Sequence, residues 1–253
     1  MPVLSDLEPR EVFAWFERLC AIPHGSHHAK AISDYLVAFA RERGLACRQD
    51  AANNVVIRKA ASAGYENAPV VMLQGHIDMV CEKDADCGKD METEGLDLFV
   101  DGDVIGARGT TLGGDDGIAV AMALAVLDAD DIPHGPLECV FTADEEVGMI
   151  GARALDASDL KAKYLINIDS EEEGVLTVSC AGACRTLCTL PVTRVPFDGQ
   201  TLRVRISGLA GGHSGEEIHK GRANANLLLG RALDEMSRAG TLRLIRVSGG
   251  AKD

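Results

Sequence analysis

The residues of this chain best suited to chemistry are His76, Asp115, Glu145, Glu146 and Asp169, carried by four short segments: GHID (75–78), GGDDG (113–117), TADEE (142–146) and NIDSEEE (167–173). Each segment falls where an apolar run ends or a helix begins. An imidazole and four carboxylates gathered without a lysine or arginine repel one another strongly unless divalent cations neutralise them. One histidine with several carboxylates suits zinc, manganese or cobalt, whereas calcium sites more often use oxygen alone and structural zinc sites more often use cysteine. More carboxylates than one ion requires point to two ions sharing a bridge. In such a pair, about 3.5–4 Å apart, one ion polarises a carbonyl while both acidify a water.

Taken singly, each residue has a plainer explanation. His76 alone fits a hydrogen-bonded core histidine. Glu145 and Glu146 fit the solvated start of a helix, Asp115 and Asp116 fit turn residues beside glycine, and Asp169 fits a helix cap. The metal reading rests on their conjunction, because four unrelated explanations would all have to place acids at the ends of sheet elements.

The elements that must position these residues follow from periodicity. Val12, Phe13, Trp15, Phe16 and Leu19 recur at helical spacing over 8–20, and Ile32, Tyr35, Leu36 and Phe39 repeat the pattern over 27–43. Ser26 is placed to cap this second helix and Gly44 to end it. Short apolar runs at Val55–Ile57, Pro69–Leu73, Leu137–Phe141 and Tyr164–Ile168 predict strands, the last three buried on both faces. Gly117–Leu127 is apolar almost all round, as a helix buried against a sheet must be. The class is α/β, with a mixed, largely parallel sheet flanked by helices. In such sheets ligands bind beyond the carboxyl ends of the strands, where three of the four acidic segments lie. The fourth places Asp115 in a glycine loop opening the apolar helix, where a carboxylate is favoured.

After about residue 185 the pattern changes. TLRVRISG (201–208) and TLRLIRVSG (241–249) alternate apolar and basic side chains, predicting strands with one wet face, and the segment between them reads as an amphipathic helix ended by Gly240. Residues 1–185 are thus expected to form the N-terminal part of a catalytic domain, and 186–253 the start of a smaller α+β domain that stops unfinished.

Composition narrows the partners. With 39 Asp+Glu against 25 Lys+Arg the formal charge is -14, and no basic cluster interrupts it, so nucleic acid and anionic membranes are repelled. No basic region followed by a long apolar run opens the chain, and no stretch of about 18 apolar residues occurs, which predicts a cytoplasmic address. The eight cysteines read as free thiols. Cys180, Cys184 and Cys188, evenly spaced in what looks like extended chain, read as small buried hydrophobes rather than a metal site.

The motifs GHIDMV, ARGTTLGGDDGIAVAMALAVL, TADEEVGMIGA, INIDSEEEG and GGHSGEEIHKGRANAN together resemble the aminoacyl-histidine dipeptidases, also called cytosol non-specific dipeptidases, within the zinc peptidase group that includes aminoacylases, carboxypeptidase G and peptidase T. The likeness runs from IPHGSHH (22–28) to the final SGG. It implies hydrolysis of small dipeptides, including those ending in histidine, with two divalent metal ions, zinc foremost. It also implies that Asp115 bridges both metals, that His76 and Asp169 complete one metal's protein ligands, and that Glu146 serves the other. Glu145 then resembles the general base, and Asp78 the second acidic catalytic residue, which orients the ligand imidazole. His213 resembles the lid histidine that reaches substrate and stabilises the developing oxyanion. A lid of this kind in relatives often mediates a homodimer.

Two departures stand out. The family commonly has Asn after the bridging Asp, where this chain has Asp116, and the added acid is expected to raise a neighbour's pKa. Family members also continue further and supply a late histidine to the second metal. After Asp169 only His213 and His219 remain here, both in the lid motif, so the chain reads as an N-terminal portion. A truncated, non-catalytic piece and a related enzyme acting on N-acyl amino acids are the alternative readings.

Overall fold

The computed structural model describes residues 2–170, 172–180, 182, 186–212 and 217–249. It divides into two units, Met1–Cys180 and Ala181–Asp253.

In the first unit, helices α1 (Arg10–Cys20) and α2 (Lys30–Glu42) realise the two helical patterns. Trp15, Phe16 and Leu19 of α1 and Ile32, Leu36 and Phe39 of α2 turn into one core, where Trp15 meets Phe39 edge to face at 5.0 Å. Gly44 ends α2 as expected. Its φ of +65° lets the chain reverse, so that the Gly44 N–H reaches the Arg41 carbonyl and the Leu45 N–H the Ala40 carbonyl. Ser26 does not cap α2. The N-cap is Ala29, without a side-chain bond, and the Ser26 hydroxyl points elsewhere.

Strands β1 (Ala46–Gln49), β2 (Val55–Lys59), β3 (Val71–His76), β6 (Leu137–Thr142) and β7 (Tyr164–Asn167) form one sheet in the order β1-β2-β6-β3-β7. The pairs β1–β2 and β2–β6 are antiparallel while β6–β3 and β3–β7 are parallel, so β2 alone opposes the other four. A separate hairpin, β4 (Leu98–Asp101) with β5 (Val104–Ala107), precedes α3 (Gly114–Asp128). Helix α3 is small-residue rich, and it buries Ala119, Val120, Ala121, Ala123, Leu124 and Leu127 against α1 and β3. A short helix, α4 (Ile150–Ala154), follows β6.

All six residues of β6 are buried, as its lack of apolar–polar alternation predicts, including Glu138. That carboxylate stays inside because Arg58 Nε donates to it at 3.1 Å and the N–H groups of Lys161 and Ala162 donate at 2.8 and 2.9 Å. β7 departs from expectation. Tyr164, Leu165 and Ile166 are 60%, 60% and 50% exposed, because β7 is an edge strand with β3 on one side only among the described residues. An apolar run cannot by itself distinguish a central strand from an edge.

In the second unit, α5 (Ala225–Ala239) stands where the amphipathic pattern places it, capped by the Asn224 side chain, which accepts the Leu227 N–H at 3.0 Å, and ended at Gly240. A 3-10 turn, Ile218–Lys220, precedes it. The alternating segments 201–208 and 241–249 form no strand among the described residues, contrary to expectation. Alternation gives a strand its faces, but only a paired neighbour satisfies its ladder bonds. The cysteine reading needs a second correction: Cys180 and Cys188 are exposed rather than buried, and Cys184 lies outside the described residues. The described cysteines are all free thiols. No helix among the described residues is long and apolar enough to cross a membrane.

Candidate metal centre

The parallel strands β3, β6 and β7 end together. Register pairs His76 with Thr142 and Gln74 with Asn167, so the segments beyond them emerge side by side. The loop opening α3 arrives at the same edge, because Gly75 leaves room for it: a Cβ there would lie 2.6 Å from Asp116 Oδ2. That oxygen instead accepts the His76 N–H at 3.0 Å, and Asp116 is buried. Asp115, joined to Asp116 by a cis peptide bond, sets its own carboxylate against the His76 ring.

The His76 ring is held at both nitrogens. Nε2 lies 2.9 Å from Asp115 Oδ1, and Nδ1 lies 2.8 Å from the Asp78 backbone carbonyl. The Asp78 carboxylate stands further from the ring, with Oδ1 at 3.5 Å from Nδ1. Its shorter contacts go elsewhere: Oδ1 accepts the Glu145 N–H at 2.9 Å and Oδ2 accepts the Ser26 hydroxyl at 2.7 Å. The Gly148 and Met149 N–H groups close a tight turn onto the Glu145 carbonyl, both at 2.8 Å. Ligand atoms of His76, Asp115 and Glu146 lie within 4.8 Å of one another, and so do those of His76, Asp116 and Asp169.

All five residues singled out from the sequence are therefore brought to one edge of the sheet, with Asp78 beneath them. Asp116, the added acid at the position where the family commonly has Asn, stands at the same edge, with a ligand atom within 4.8 Å of those of His76 and Asp169. His213 lies outside the described residues. Three supporting residues had no functional role assigned from the sequence: Ser26 and Asp144, inside the IPHGSHH and TADEE segments, and Asn54. The buried Asn54 side chain donates to Asp50 Oδ2 and the Gly151 carbonyl and accepts the Ala143 N–H, pinning the start of the Glu145 loop.

The electrostatics are those of crowded acids around one imidazole. Burial works to lower the His76 pKa, but hydrogen bonds with Asp115 and Asp78, and the charge of Asp116, outweigh it and push the ring up to about 11. The hydrogen bond from His76 holds Asp115 below the usual carboxylate range. Burial first, and then the neighbouring acids, raise Asp169, raise Glu145 and push Asp116 up to about 8, with His76 opposing in each case. The expected effect of the added acid thus falls most visibly on Asp116 itself. Among the described residues no lysine or arginine pairs with Asp115, Asp116, Glu145 or Asp169. The donor set consequently fits a divalent cation, which would supply the charge that a proton on His76 otherwise provides.

The sheet order and the acid cluster at its carboxyl edge define a class: α/β proteins that gather carboxylates and an imidazole around a cation site. Residues 72–238 match the model of peptidase family M20/M25/M40, and the chain belongs to that family. It is 44% identical over 252 residues to the cytosol non-specific dipeptidase of Escherichia coli (strain K12), covering 99% of this chain and 52% of that protein. In structure it resembles the aminoacylhistidine dipeptidase of Vibrio alginolyticus, with a TM-score of 0.68, 37% identity, and coverage of 93% of this chain and 49% of that one. A tripeptidase from Staphylococcus aureus matches with a TM-score of 0.55 and 25% identity, over 66% of this chain and 44% of that one. The chain thus spans about half the length of the dipeptidases it matches.

Proposed function

We propose that the full protein is a metal-dependent dipeptidase, hydrolysing small dipeptides that include Xaa-His, in the cytoplasm. One observation carries this reading: His76 Nε2 stands 2.9 Å from Asp115 Oδ1, and one ligand atom from each of His76, Asp115 and Glu146 lies within 4.8 Å of the others. Relatives described as a cytosol non-specific dipeptidase and an aminoacylhistidine dipeptidase supply the substrate class.

His76, Asp115 and Asp169 would hold one divalent ion and Asp115 with Glu146 a second, zinc foremost; the ligand atoms that lie within 4.8 Å of one another are those of His76, Asp115 and Glu146, and those of His76, Asp116 and Asp169. Bound there, such ions would polarise the scissile carbonyl and acidify a water. The remaining steps fall to the chain. Glu145, whose pKa is raised chiefly by burial, accepts the water's proton and passes it to the leaving amine. The Asp78 carbonyl accepts a hydrogen bond from His76 Nδ1, leaving Nε2 to face the acids. Residues 1–185 serve as the catalytic domain and 186–253 as the start of a lid. His213 of that lid binds substrate, and the lid joins two copies in a dimer.

The test is dipeptide hydrolysis by the full protein with and without a chelator. Chelation and Glu145→Ala are each expected to abolish turnover. Full activity in metal-free protein, or in Glu145→Ala, overturns the reading.

A further inference from the structure

Between α1 and α2 the chain reads His24-Gly25-Ser26-His27, and this segment runs parallel to the loop beyond β3. Gly25 bridges Met79; the Met79 N–H donates to the His24 carbonyl and the Ser26 N–H to the Met79 carbonyl, each at 3.2 Å. Gly25 is buried, and a Cβ on it would lie 2.6 Å from Cys81 Sγ and 3.9 Å from the Met79 carbonyl oxygen.

Two longer-range contacts follow from this docking. Ser26 Oγ donates to Asp78 Oδ2 at 2.7 Å, and the His27 N–H donates to Asp144 Oδ1 at 2.6 Å. His27 and Asp144 both hold positive φ, 69° and 55°, a conformation that costs a non-glycine residue about 1 kcal/mol or more and persists where surrounding contacts dictate it. These contacts tie the segment to Asp78 and to Asp144 of the Glu145 loop. Asp144 precedes Glu145 directly, and the second oxygen of Asp78 accepts the Glu145 N–H at 2.9 Å. Ser26 OH, Asp78 carboxylate and Glu145 N–H therefore form one continuous chain, and its middle member is 1% exposed.

We propose that Ser26 is a positioning residue for Glu145, acting through Asp78. The inference rests on the dipeptidase reading for its kinetic consequence. A carboxylate held at one oxygen can turn about its Cβ–Cγ bond, whereas the Ser26 hydroxyl holds the second oxygen and keeps Oδ1 aimed at the Glu145 N–H. The backbone carrying the base is thereby fixed, and loosening such a support costs rate more than substrate affinity.

In the full protein, Ser26→Ala is expected to lower kcat for dipeptide hydrolysis about 10-fold with KM and Tm near wild type, and Ser26→Thr, which keeps the hydroxyl, to restore most of the loss. Amide hydrogen exchange supplies a readout that needs no turnover. In metal-free protein the Glu145 amide is expected to exchange about 10-fold faster in Ser26→Ala and to recover in Ser26→Thr, with protection of α2 unchanged. Unchanged Glu145 exchange in Ser26→Ala, or a loss that Ser26→Thr does not restore, overturns the proposal. A wild-type protein that fails to cleave dipeptides overturns the dipeptidase reading instead, and the exchange result still judges the role of Ser26.

Discussion

Gly75 and Asp116 meet where β3 ends and α3 begins: a Cβ at position 75 would lie 2.6 Å from Asp116 Oδ2, the oxygen that accepts the His76 N–H at 3.0 Å. The same Cβ would stand 3.1 Å from Ala119 Cβ, so the helix as well as the carboxylate resists it. Asp115 takes its place beside the His76 ring from this packing, since it is the residue next to the one that Gly75 admits.

Gly75→Ala is accordingly expected to disturb Asp115 and Asp116 together. Calorimetric titration with zinc should show affinity weakened about 10-fold or more, with helix content by circular dichroism retained. Wild-type affinity in Gly75→Ala would show that the close approach is incidental.

Asp116 carries a pH signature. Burial, assisted by Asp169 and Asp115 against the pull of His76, moves its carboxyl from an ordinary 3.8 up to about 8. Between those values the folded chain keeps a proton that the unfolded chain has released, so this group makes stability fall as pH rises through that window. Asp116→Asn keeps the shape and removes the titration. Urea midpoints of the metal-free protein should therefore decline less between pH 5 and pH 8 in Asp116→Asn than in wild type. Equal declines would place the burden on other groups.

Glu138 works in the opposite sense. Burial pushes its pKa up, but the Lys161 N–H, Arg58 and the Ala162 N–H together hold it below the ordinary 4.5. Its contribution to stability is present above the unfolded value and is lost as pH falls through the lower folded one. Arg58→Ala, which removes one donor from a nearly buried acid, should cost about 1–2 kcal/mol at pH 7, since Arg58 itself is partly exposed. The cost should shrink as the pH is lowered into the range where Glu138 is protonated in both states. A cost independent of pH would assign the effect to packing of the arginine stem.

Asn54 holds the start of the Glu145 loop from beneath. Asn54→Ala would strand the Ala143 N–H, which it accepts at 3.0 Å, while the Gly151 carbonyl keeps the Leu155 N–H, and should lower stability by about 1–3 kcal/mol. A near-neutral Asn54→Ala in denaturant titration would mean that water replaces the side chain.

Much of the scaffold was legible because its signals are local. Helical spacing placed α1, α2 and α5, an apolar run placed α3, and the segments around 55, 71, 137 and 164 became strands of one sheet. β1, the β4–β5 hairpin and α4 are four or five residues each, too short for periodicity to register. The expected burial of β7 and the expected strands at 201–208 and 241–249 failed for a common reason. Both depend on what lies beside the segment, and neighbours are not written in a pattern of alternation.

The amino-acid sequence by itself determined which chemistry this chain can do, since one imidazole and several acids at the ends of buried runs leave few alternatives to a cation. Tertiary structure alone decided how those groups divide the work. Of two adjacent aspartates, Asp115 faces the His76 ring and Asp116 the His76 backbone, and a serine placed to cap a helix instead holds Asp78. The physical reason is that periodicity specifies the backbone of each element. The aim of a loop side chain is set by which distant group comes close enough to bond it, and for Asp116 that depends on the bare position at Gly75.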